Sequence, residues 1–547
     1  MESVKNWLLR NWGRLALACR VVLLGASAAA LGSVRADDSP NDPKTRSPAD
    51  RSSPPNILLI IADDHAAWTL GSMGDPRKAT PNLDRLARQG VLFERAYCNS
   101  PLCTPSRQSL ITGQLPHQVG VTQLTTPLPE DAITLGSWAQ RLGYETVAIG
   151  KMHFNDTSRH GFERRVDLQD WERHLHENPP PEGDHRRPWR PFNDPAKLWL
   201  NADCLDAGLP AQAMSSAFFI ERAAREFHHT RRTPFAMVVG FYEPHSPFRF
   251  PTEWVGRYSA SDFPVPAVAE FDRREQPAVF ANLTPRDIRG VQAAYFTSLS
   301  FLDDQVGRML NALDSAGLAN QTIVVYVGDN GYLLGQHGRF EKHCFYEQAV
   351  RVPLIIRWPG QIPAGRRVRD MVELVDVLPT VLALAGLPRP VGRHGIDLGP
   401  LLRGQPGARG RDVVYGEYPE NEEAMVRDDR YKLLVGTGAR LREDGYATRN
   451  PTPPPGPYLR LYDEQSDPGE DHDLSSTPGL ITVRDRLLNR MYERMLATST
   501  GSAAIPAGLS RIEAIHWRLK PRDQGRPVRT PAPREGQPSA RIKRSGP

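Results

Sequence analysis

The segment that decides the fold is the run NILLIIA at Asn56–Ala62, which is followed at once by Asp63 and Asp64. An almost unbroken apolar run indicates a β-strand that is buried on both faces, as strands in parallel sheets are. The two carboxylates stand where the predicted strand ends. The sequence therefore predicts a parallel sheet with acidic side chains at the carboxyl end of its first strand.

Two later segments repeat this pattern of an apolar run that leads into polar residues. The run at 235–241 precedes His245, and the run at 322–327 precedes Asp329 and Asn330. In open α/β sheets, ligands bind at the carboxyl ends of the strands. We therefore expect these polar residues to contribute to one site.

Helical patterns at 134–142 and 287–313 alternate with the strands, which predicts an α/β sheet flanked by helices. From about Val413 the pattern changes to short β-rich segments separated by Gly and Pro, and a helical pattern follows near 481–496. This change predicts a small α+β unit after the larger α/β body.

Composition and charge exclude several classes of protein. The 547 residues include 50 prolines and 44 glycines, which indicates long loops and excludes a coiled coil. The net charge of +5 comes from the ends, because residues 1–36 carry +4 and residues 518–547 carry +7. The chain between them is therefore acidic. With no nucleic-acid motif present, we expect no nucleic-acid partner.

The first 36 residues have the pattern of a signal peptide. Basic residues precede an apolar stretch at 21–31, and Val34-Arg35-Ala36 offers small residues for cleavage before Asp37. The stretch is short of the roughly 20 residues that span a bilayer, so we expect no stable membrane span. An uncleaved anchor is the alternative. The expected location is periplasmic or extracellular.

The five cysteines, Cys19, Cys98, Cys103, Cys204 and Cys344, match no zinc or redox spacing, and the sequence leaves disulfide pairing open.

The most informative segment runs from Cys103 to Gly113, with the sequence CTPSRQSLITG. Thr104 is a good helix N-cap, Pro105 a good first helical residue, and Gly113 a good helix end. We therefore expect Cys103 just outside a helix N-terminus, where the helix dipole favours an anion and Arg107 adds a planar donor. The alternative is an ordinary capped helix with a buried cysteine.

This segment resembles the signature of the type I sulfatases, Cys-x-Pro-Ser-Arg followed by Thr-Gly. The resemblance implies that Cys103 is oxidised to Cα-formylglycine by a formylglycine-generating maturation enzyme. It also implies an alkaline-phosphatase-like α/β sandwich, with a mixed, mostly parallel central sheet flanked by helices and a small C-terminal α+β domain.

The resemblance extends over about 56–474 and implies two sets of site residues. The metal ligands would be Asp63, Asp64, Cys103, Asp329 and Asn330. The residues that bind and cleave the sulfate ester would be Cys103, Arg107, Lys151, His153, His245 and Lys342. Taken singly, each acid could belong to a turn, each lysine could be solvated and each histidine could be structural. Oxygen ligands of this kind suit Ca²⁺, with Mg²⁺ as the alternative.

We therefore expect a catalytic sulfatase domain within the following organisation: a signal peptide at 1–36, a polar linker at 37–55, the catalytic domain at 56–405, a small C-terminal domain with an antiparallel sheet at 406–500, and a basic, disordered tail at 501–547.

The expected activity is hydrolysis of a sulfate ester, on a sulfated small molecule or an extracellular glycan. Short stretches resemble choline sulfatases around Lys342 and iduronate-2-sulfatases around His245, and these two indications conflict. Phosphonate or phosphate monoester hydrolysis is an alternative, because the phosphoryl group presents similar oxygens. An exported binding protein without catalysis is the alternative from a different class.

Overall fold

The computed structural model describes residues 54–180, 209–229, 231–389, 394–439, 456–499 and 504–523. Their largest element is an eight-stranded sheet with the order β4-β3-β5-β1-β6-β7-β2-β8. Its strands are β1 Asn56–Ala62, β2 Val91–Tyr97, β3 Glu145–Gly150, β4 Arg164–Val166, β5 Phe235–Gly240, β6 Thr322–Gly328, β7 Arg351–Arg357 and β8 Arg366–Glu373.

The first strand lies in the middle of this sheet and is buried along its whole length. It pairs in parallel with β5 on one side and with β6 on the other, so that Ile61 lies opposite Gly240 and Ala62 opposite Gly328. Among the described strands of this sheet, only β7 runs against the others, since it pairs antiparallel with both β6 and β2. The residues that follow β1, β5 and β6 therefore emerge at one edge.

Helices cover both faces of the sheet. The described α-helices are α1 Pro81–Gln89, α2 Cys103–Thr112, α3 Pro116–Val119, α4 Leu135–Arg141, α5 Leu168–Glu177, α6 Ser215–Phe227, α7 Glu270–Glu275, α8 Ala278–Ala281, α9 Pro285–Ser315, α10 Glu347–Val350, α11 Val377–Leu384, α12 Gly399–Arg403, α13 Ile481–Thr498 and α14 Arg511–Leu519. Alternate residues of β1 point into two separate apolar cores. Helices α2, α4 and α11 line one core, and helices α1, α6 and α9 line the other.

A second, four-stranded antiparallel sheet follows, with the order β12-β11-β10-β9. Its strands are β9 Val414–Tyr418, β10 Glu423–Arg427, β11 Tyr431–Gly436 and β12 Tyr458–Asp463. Helices α13 and α14 pack on this sheet through a third apolar core. The sequence pattern indicates β-rich segments here at 412–417, 431–435 and 458–462, and none of them covers β10.

The predicted α/β sandwich with a mixed, mostly parallel sheet and a small C-terminal α+β unit is confirmed. The domain boundaries stay predictions. The signal peptide at 1–36 and the linker up to residue 53 lie outside the described residues. Within the described part of the chain, no helix has both the length and the apolar composition needed to cross a membrane.

The prediction of disorder from residue 501 onwards is wrong for part of that segment. Arg511–Leu519 form helix α14, whose Ser510 cap accepts a hydrogen bond from the backbone N–H of Glu513. Ile515 and Leu519 are buried in the third core, which gives this segment the apolar surface that its overall composition hides. Residues 524–547 lie outside the described residues.

Candidate active site

The ends of β1 and β6 bring the predicted acidic residues together. Asp63, Asp64, Asp329 and Asn330 are all buried. The backbone N–H of Asp329 donates to the carbonyl of Ala62 at 3.0 Å, and the backbone N–H of Asp64 donates to Oδ1 of Asp329 at 3.1 Å. The parallel register thus places three carboxylates and one amide at adjacent positions.

Three oxygens of this group lack a hydrogen-bond partner among the described residues: Asp63 Oδ1, Asp64 Oδ2 and Asn330 Oδ1. A buried polar oxygen without a partner is costly, so each such group in a native protein needs an explanation. Carboxylate and amide oxygens are the ligands that hard divalent cations prefer. The donor set therefore fits a bound cation of this class.

Two lysines reach the same carboxylates from other loops. Lys151 follows β3, and its Nζ donates to Oδ2 of Asp63. Lys342 lies on the loop between β6 and β7, and its Nζ donates to Oδ1 of Asp64 at 2.6 Å. Both side chains are buried, so they form part of the site and are not solvated surface lysines.

The cysteine begins a helix whose N-terminus lies at this edge. Cys103 is the first residue of α2, with Leu102 as the N-cap, so the prediction that Thr104 caps the helix is wrong by two residues. Thr104 makes a tertiary contact instead, since its hydroxyl donates to the carbonyl of Leu124 at 2.8 Å. Gly113 ends the helix in the left-handed conformation, as predicted.

Arg107 lies in the first turns of α2 and is almost fully buried. Its Nε donates to Oδ2 of Asp329 at 2.6 Å, and its Nη1 donates to the backbone carbonyl of Lys151. The guanidinium therefore holds Asp329 and the loop of Lys151 in place. The sequence predicts that this guanidinium is a planar donor to a bound anion. In the structure, however, its Nε and Nη1 donate to groups of the protein itself.

The two predicted histidines lie at the edge of this buried group. Nδ1 of His153 is 3.1 Å from the hydroxyl oxygen of Thr104, and Nε2 of His245 is 3.8 Å from Oδ2 of Asp64. A third of the His245 side chain is exposed, which leaves it accessible to a ligand. Every predicted site residue thus lies in or beside one cluster at the carboxyl ends of the strands.

Burial and neighbouring charges shift the pKa values of these groups in different directions. Burial alone would raise the pKa of Asp63, but the attraction of Lys151 and Arg107 holds it well below its usual range. Burial, together with repulsion from Asp63, raises the pKa of Asp329 to about 6. Burial lowers the pKa of His245 to about 3 and that of His153 well below its usual value, so both rings are neutral at pH 7.

Two residues of helix α2 that the sequence did not assign to the site support its backbone. Ser106 donates its hydroxyl hydrogen to the carbonyl of Asp329, and Nε2 of Gln108 donates to the carbonyl of His153 at 2.6 Å. Both residues lie on α2 within the cysteine segment, so their place in that motif was the available signal. The thiols of Cys98, Cys103 and Cys344 are free and buried.

Comparison with known proteins relates this chain to sulfatases. A family model described as Sulfatase matches residues 55–387, and a model described as N-sulphoglucosamine sulphohydrolase, C-terminal, matches residues 335–440. The chain is 32% identical over 388 residues to iduronate 2-sulfatase of Mus musculus, which covers 61% of this chain and 69% of the relative.

One further relative and one solved structure extend the comparison. Over 460 residues the chain is 28% identical to Delta 4,5-hexuronate-2-O-sulfatase of Bacteroides thetaiotaomicron, covering 78% of this chain and 85% of the relative. A solved phosphonate monoester hydrolase of Agrobacterium radiobacter superposes with a TM-score of 0.69 at 23% identity, covering 81% of this chain and 96% of that structure. At that identity the likeness establishes the fold alone.

Proposed function

The chain belongs to the sulfatase family and is a sulfuric ester hydrolase, and from that premise we propose that it removes sulfate groups from a sulfated carbohydrate. The observation that carries the proposal is the buried cluster in which Asp63, Asp64 and Asp329 face Arg107, Lys151 and Lys342. The relatives that act on 2-sulfated uronates favour a glycosaminoglycan-like saccharide as the substrate.

We infer that Asp63, Asp64, Asp329 and Asn330 hold a Ca²⁺ ion, with Mg²⁺ as the alternative and with position 103 as a further ligand. The three unpartnered oxygens in this group support the assignment. When bound, the cation supplies positive charge that polarises the sulfate oxygens. The carboxylates and the basic side chains balance each other, so a divalent ion gives the site the net positive charge that an anionic ester requires.

Position 103 is the proposed nucleophile. The thiol of Cys103 is buried, and burial raises its pKa, so the unmodified side chain is protonated and a poor nucleophile at pH 7. We propose that a maturation enzyme converts Cys103 to formylglycine, which supplies a hydrated aldehyde as the attacking group. Position 103 begins helix α2, and Arg107 of the same helix donates to the carboxylate of Asp329.

The basic residues bind the sulfate group and transfer protons. Lys151 and Lys342 bind sulfate oxygens through their Nζ atoms. The negative charge of the bound ester favours protonation of His245, which then donates to a further sulfate oxygen through Nε2. Either His245 or Lys342 gives a proton to the departing alcohol oxygen. His153 accepts a proton at Nε2 when sulfate is released, for which a neutral ring is required. The low pKa of His153 keeps its ring in that form.

Export by the signal peptide at 1–36, to the periplasm or the outside of the cell, is part of the same proposal, because a sulfated polysaccharide is an extracellular substrate.

A substrate screen of enzyme produced together with a formylglycine-generating enzyme tests the proposal. The panel contains 2-O-sulfated hexuronate saccharides, N- and O-sulfated glucosamine, choline sulfate, nitrophenyl sulfate and a nitrophenyl phosphonate. We expect the highest kcat/KM on a sulfated saccharide, an aldehyde at position 103 by peptide mass analysis, and no turnover by Cys103→Ala.

Other outcomes would replace the proposal with a stated alternative. A higher kcat/KM on the phosphonate, or on choline sulfate, would transfer the function to that ester. A fully modified enzyme that binds sulfated saccharides but turns over none of the panel would make the chain a binding protein.

A further inference from the structure

The C-terminal segment after α14 returns to the active-site side of the molecule. Asp523 accepts four hydrogen bonds from a loop at 122–126, about 400 residues earlier in the chain. Its Oδ2 accepts from the backbone N–H of Thr122 at 2.8 Å and from the hydroxyl of Thr126 at 2.6 Å. Its Oδ1 accepts from the hydroxyl of Thr122 at 2.7 Å and from Nε2 of Gln123 at 2.8 Å. One carboxylate thus fixes both ends of the loop.

This loop in turn contacts the residues around the nucleophile. The carbonyl of Leu124 accepts from the hydroxyl of Thr104 and from Nδ2 of Asn155, both at 2.8 Å. Thr104 directly follows Cys103 on helix α2, and Asn155 lies two residues after His153. The loop therefore connects Asp523 to both sides of the catalytic cluster.

The hydrogen bonds of Thr104 determine where the proton of His153 lies. A threonine hydroxyl has one hydrogen, and a backbone carbonyl can only accept, so that hydrogen points to Leu124. Toward Nδ1 of His153, at 3.1 Å, the Thr104 oxygen can then only accept. Nδ1 must therefore carry the proton, and in a neutral ring the lone pair is on Nε2.

We propose that Asp523 is a positioning residue that holds the 122–126 loop in place, so that Leu124 keeps the Thr104 hydroxyl turned away from His153 and Nε2 of His153 stays unprotonated. The inference rests on the proposed function for its catalytic meaning. Nε2 of His153 accepts the proton of the hydroxyl at position 103. The electron pair of that O–H bond then forms the aldehyde carbonyl, and the C–O bond from position 103 to sulfate breaks. Sulfate leaves with the electron pair of that bond.

The test compares Asp523→Ala and the milder Asp523→Asn with a control, Glu493→Ala. Glu493 is an exposed acid on α13 whose carboxylate is 4.0 Å from Arg490. We expect Asp523→Ala to lower kcat about tenfold with KM changed less than twofold, since small displacements of catalytic groups cost up to 10²-fold. Asp523→Asn should show a smaller loss, because its oxygen still accepts hydrogen bonds, and Glu493→Ala should show none.

Two readouts separate positioning from general destabilisation. The first is ¹⁵N NMR of histidine-labelled enzyme, with His153→Gln identifying the His153 signal. We expect a protonated Nδ1 in the wild type and a mixture of tautomers in Asp523→Ala. The second is a double-mutant cycle with Thr104→Val. In that background Asp523→Ala should cause little further loss of kcat, because the hydroxyl that links Leu124 to His153 is already absent.

An Nδ1 without a proton in the wild type would overturn the proposal, and so would equal losses of kcat from Asp523→Ala in both backgrounds. If Asp523→Ala does not fold, the same readouts on Asp523→Asn decide. Because NMR reports the tautomer without turnover, a failed proposal about Asp523 remains distinct from a wild-type enzyme that hydrolyses no sulfate ester.

Discussion

At the scale of single residues, the site is a set of opposite charges held at short distance in a buried place. Asp63 pairs with Lys151, Asp64 with Lys342, and Asp329 with Arg107. Removing one member of a buried pair leaves the other charge unpaired, which costs about 3–5 kcal/mol. Substitutions at this site therefore affect stability as well as chemistry, and each prediction needs a readout for both.

The first prediction concerns the cation. We expect Asp63→Asn to lose the bound metal in elemental analysis and to lower kcat at least about a thousandfold, because Lewis-acid stabilisation supplies several kcal/mol. Asn keeps the shape of the side chain, so the far-UV spectrum should not change. Glu493→Gln is the matched control with full metal content. Full activity of the wild-type enzyme after exhaustive chelation of its metal would contradict this prediction.

The second prediction concerns the proton donor to the leaving group. An alkoxide is a strong base and needs a proton as the S–O bond breaks, whereas nitrophenolate is stable without one. General acid catalysis is worth about 10²–10⁴-fold where it is needed. We therefore expect His245→Ala to reduce kcat/KM for alkyl sulfates far more than for nitrophenyl sulfate.

The ratio of the two losses decides the role of His245, because the proposed contact with sulfate would affect both substrates. Equal losses would limit His245 to sulfate binding. Lys342→Ala, measured beside it, should then show the selective defect on alkyl sulfates. If neither variant discriminates, the general acid is neither of these residues.

At the scale of elements, the end of β3 must pass very close to the end of β5 to deliver Lys151. Gly150 has φ +83°, and a Cβ at this position would overlap the carbonyl oxygen of Gly240. The backbone N–H of Lys151 donates to that same carbonyl at 2.8 Å. Glycine at position 150 thus sets the path on which Lys151 reaches Asp63.

The third prediction follows from this contact. Gly150→Ala should displace Lys151 and reduce kcat/KM by at least about tenfold, while also lowering the melting temperature. Gly143→Ala is the matched control, because Gly143 has φ +85° and nothing within 4 Å of the added Cβ. Its cost should be limited to backbone strain of about 1–3 kcal/mol. Equal activity in the two variants would show that the close approach does not matter for the site.

At the scale of the whole molecule, an ionic cluster joins the small sheet to the body that carries Lys342. Nζ of Lys432 on β11 is fully buried, at 2.6 Å from Oε1 of Glu470, 2.9 Å from Oε1 of Glu347 and 3.4 Å from Oε1 of Glu464. Arg427 is the second cation of this cluster. Three carboxylates thus face two cations, and burial raises the pKa of Glu470 to about 8.

The fourth prediction is a dependence of stability on pH. The native cluster keeps a proton on Glu470 up to about pH 8, whereas the unfolded chain releases it near pH 4.5. The unfolded state therefore binds fewer protons between pH 4.5 and pH 8. Stability from this cluster is therefore fully present below about pH 4.5 and is lost as pH rises toward 8. Glu470→Gln should flatten the fall in melting temperature between pH 5 and 8 relative to wild type and to Glu493→Gln. An unchanged slope in Glu470→Gln would contradict the raised pKa.

The sequence by itself determined the central strand and the α/β class, and it carried the motifs whose resemblance to sulfatases implies the candidate site residues. The reason is that these features are local: an apolar run buried on both faces, polar residues at strand ends and the spacing of one cysteine motif. The parallel register of β1 with β5 and β6 then follows a general rule of such sheets, so the meeting of Asp63 with Asp329 could be anticipated.

Only the tertiary structure decided how the side chains are used. Thr104 looked like a cap, but its hydroxyl is used in a contact with Leu124, and Arg107 looked free to bind a ligand, but Asp329 occupies its Nε. The basic composition of the last segment concealed helix α14 and the role of Asp523. The hydrogen-bond partners of Asp523 lie about 400 residues earlier in the chain. Such contacts depend on which distant segments the sheet and its helices bring together, and local pattern carries no record of that.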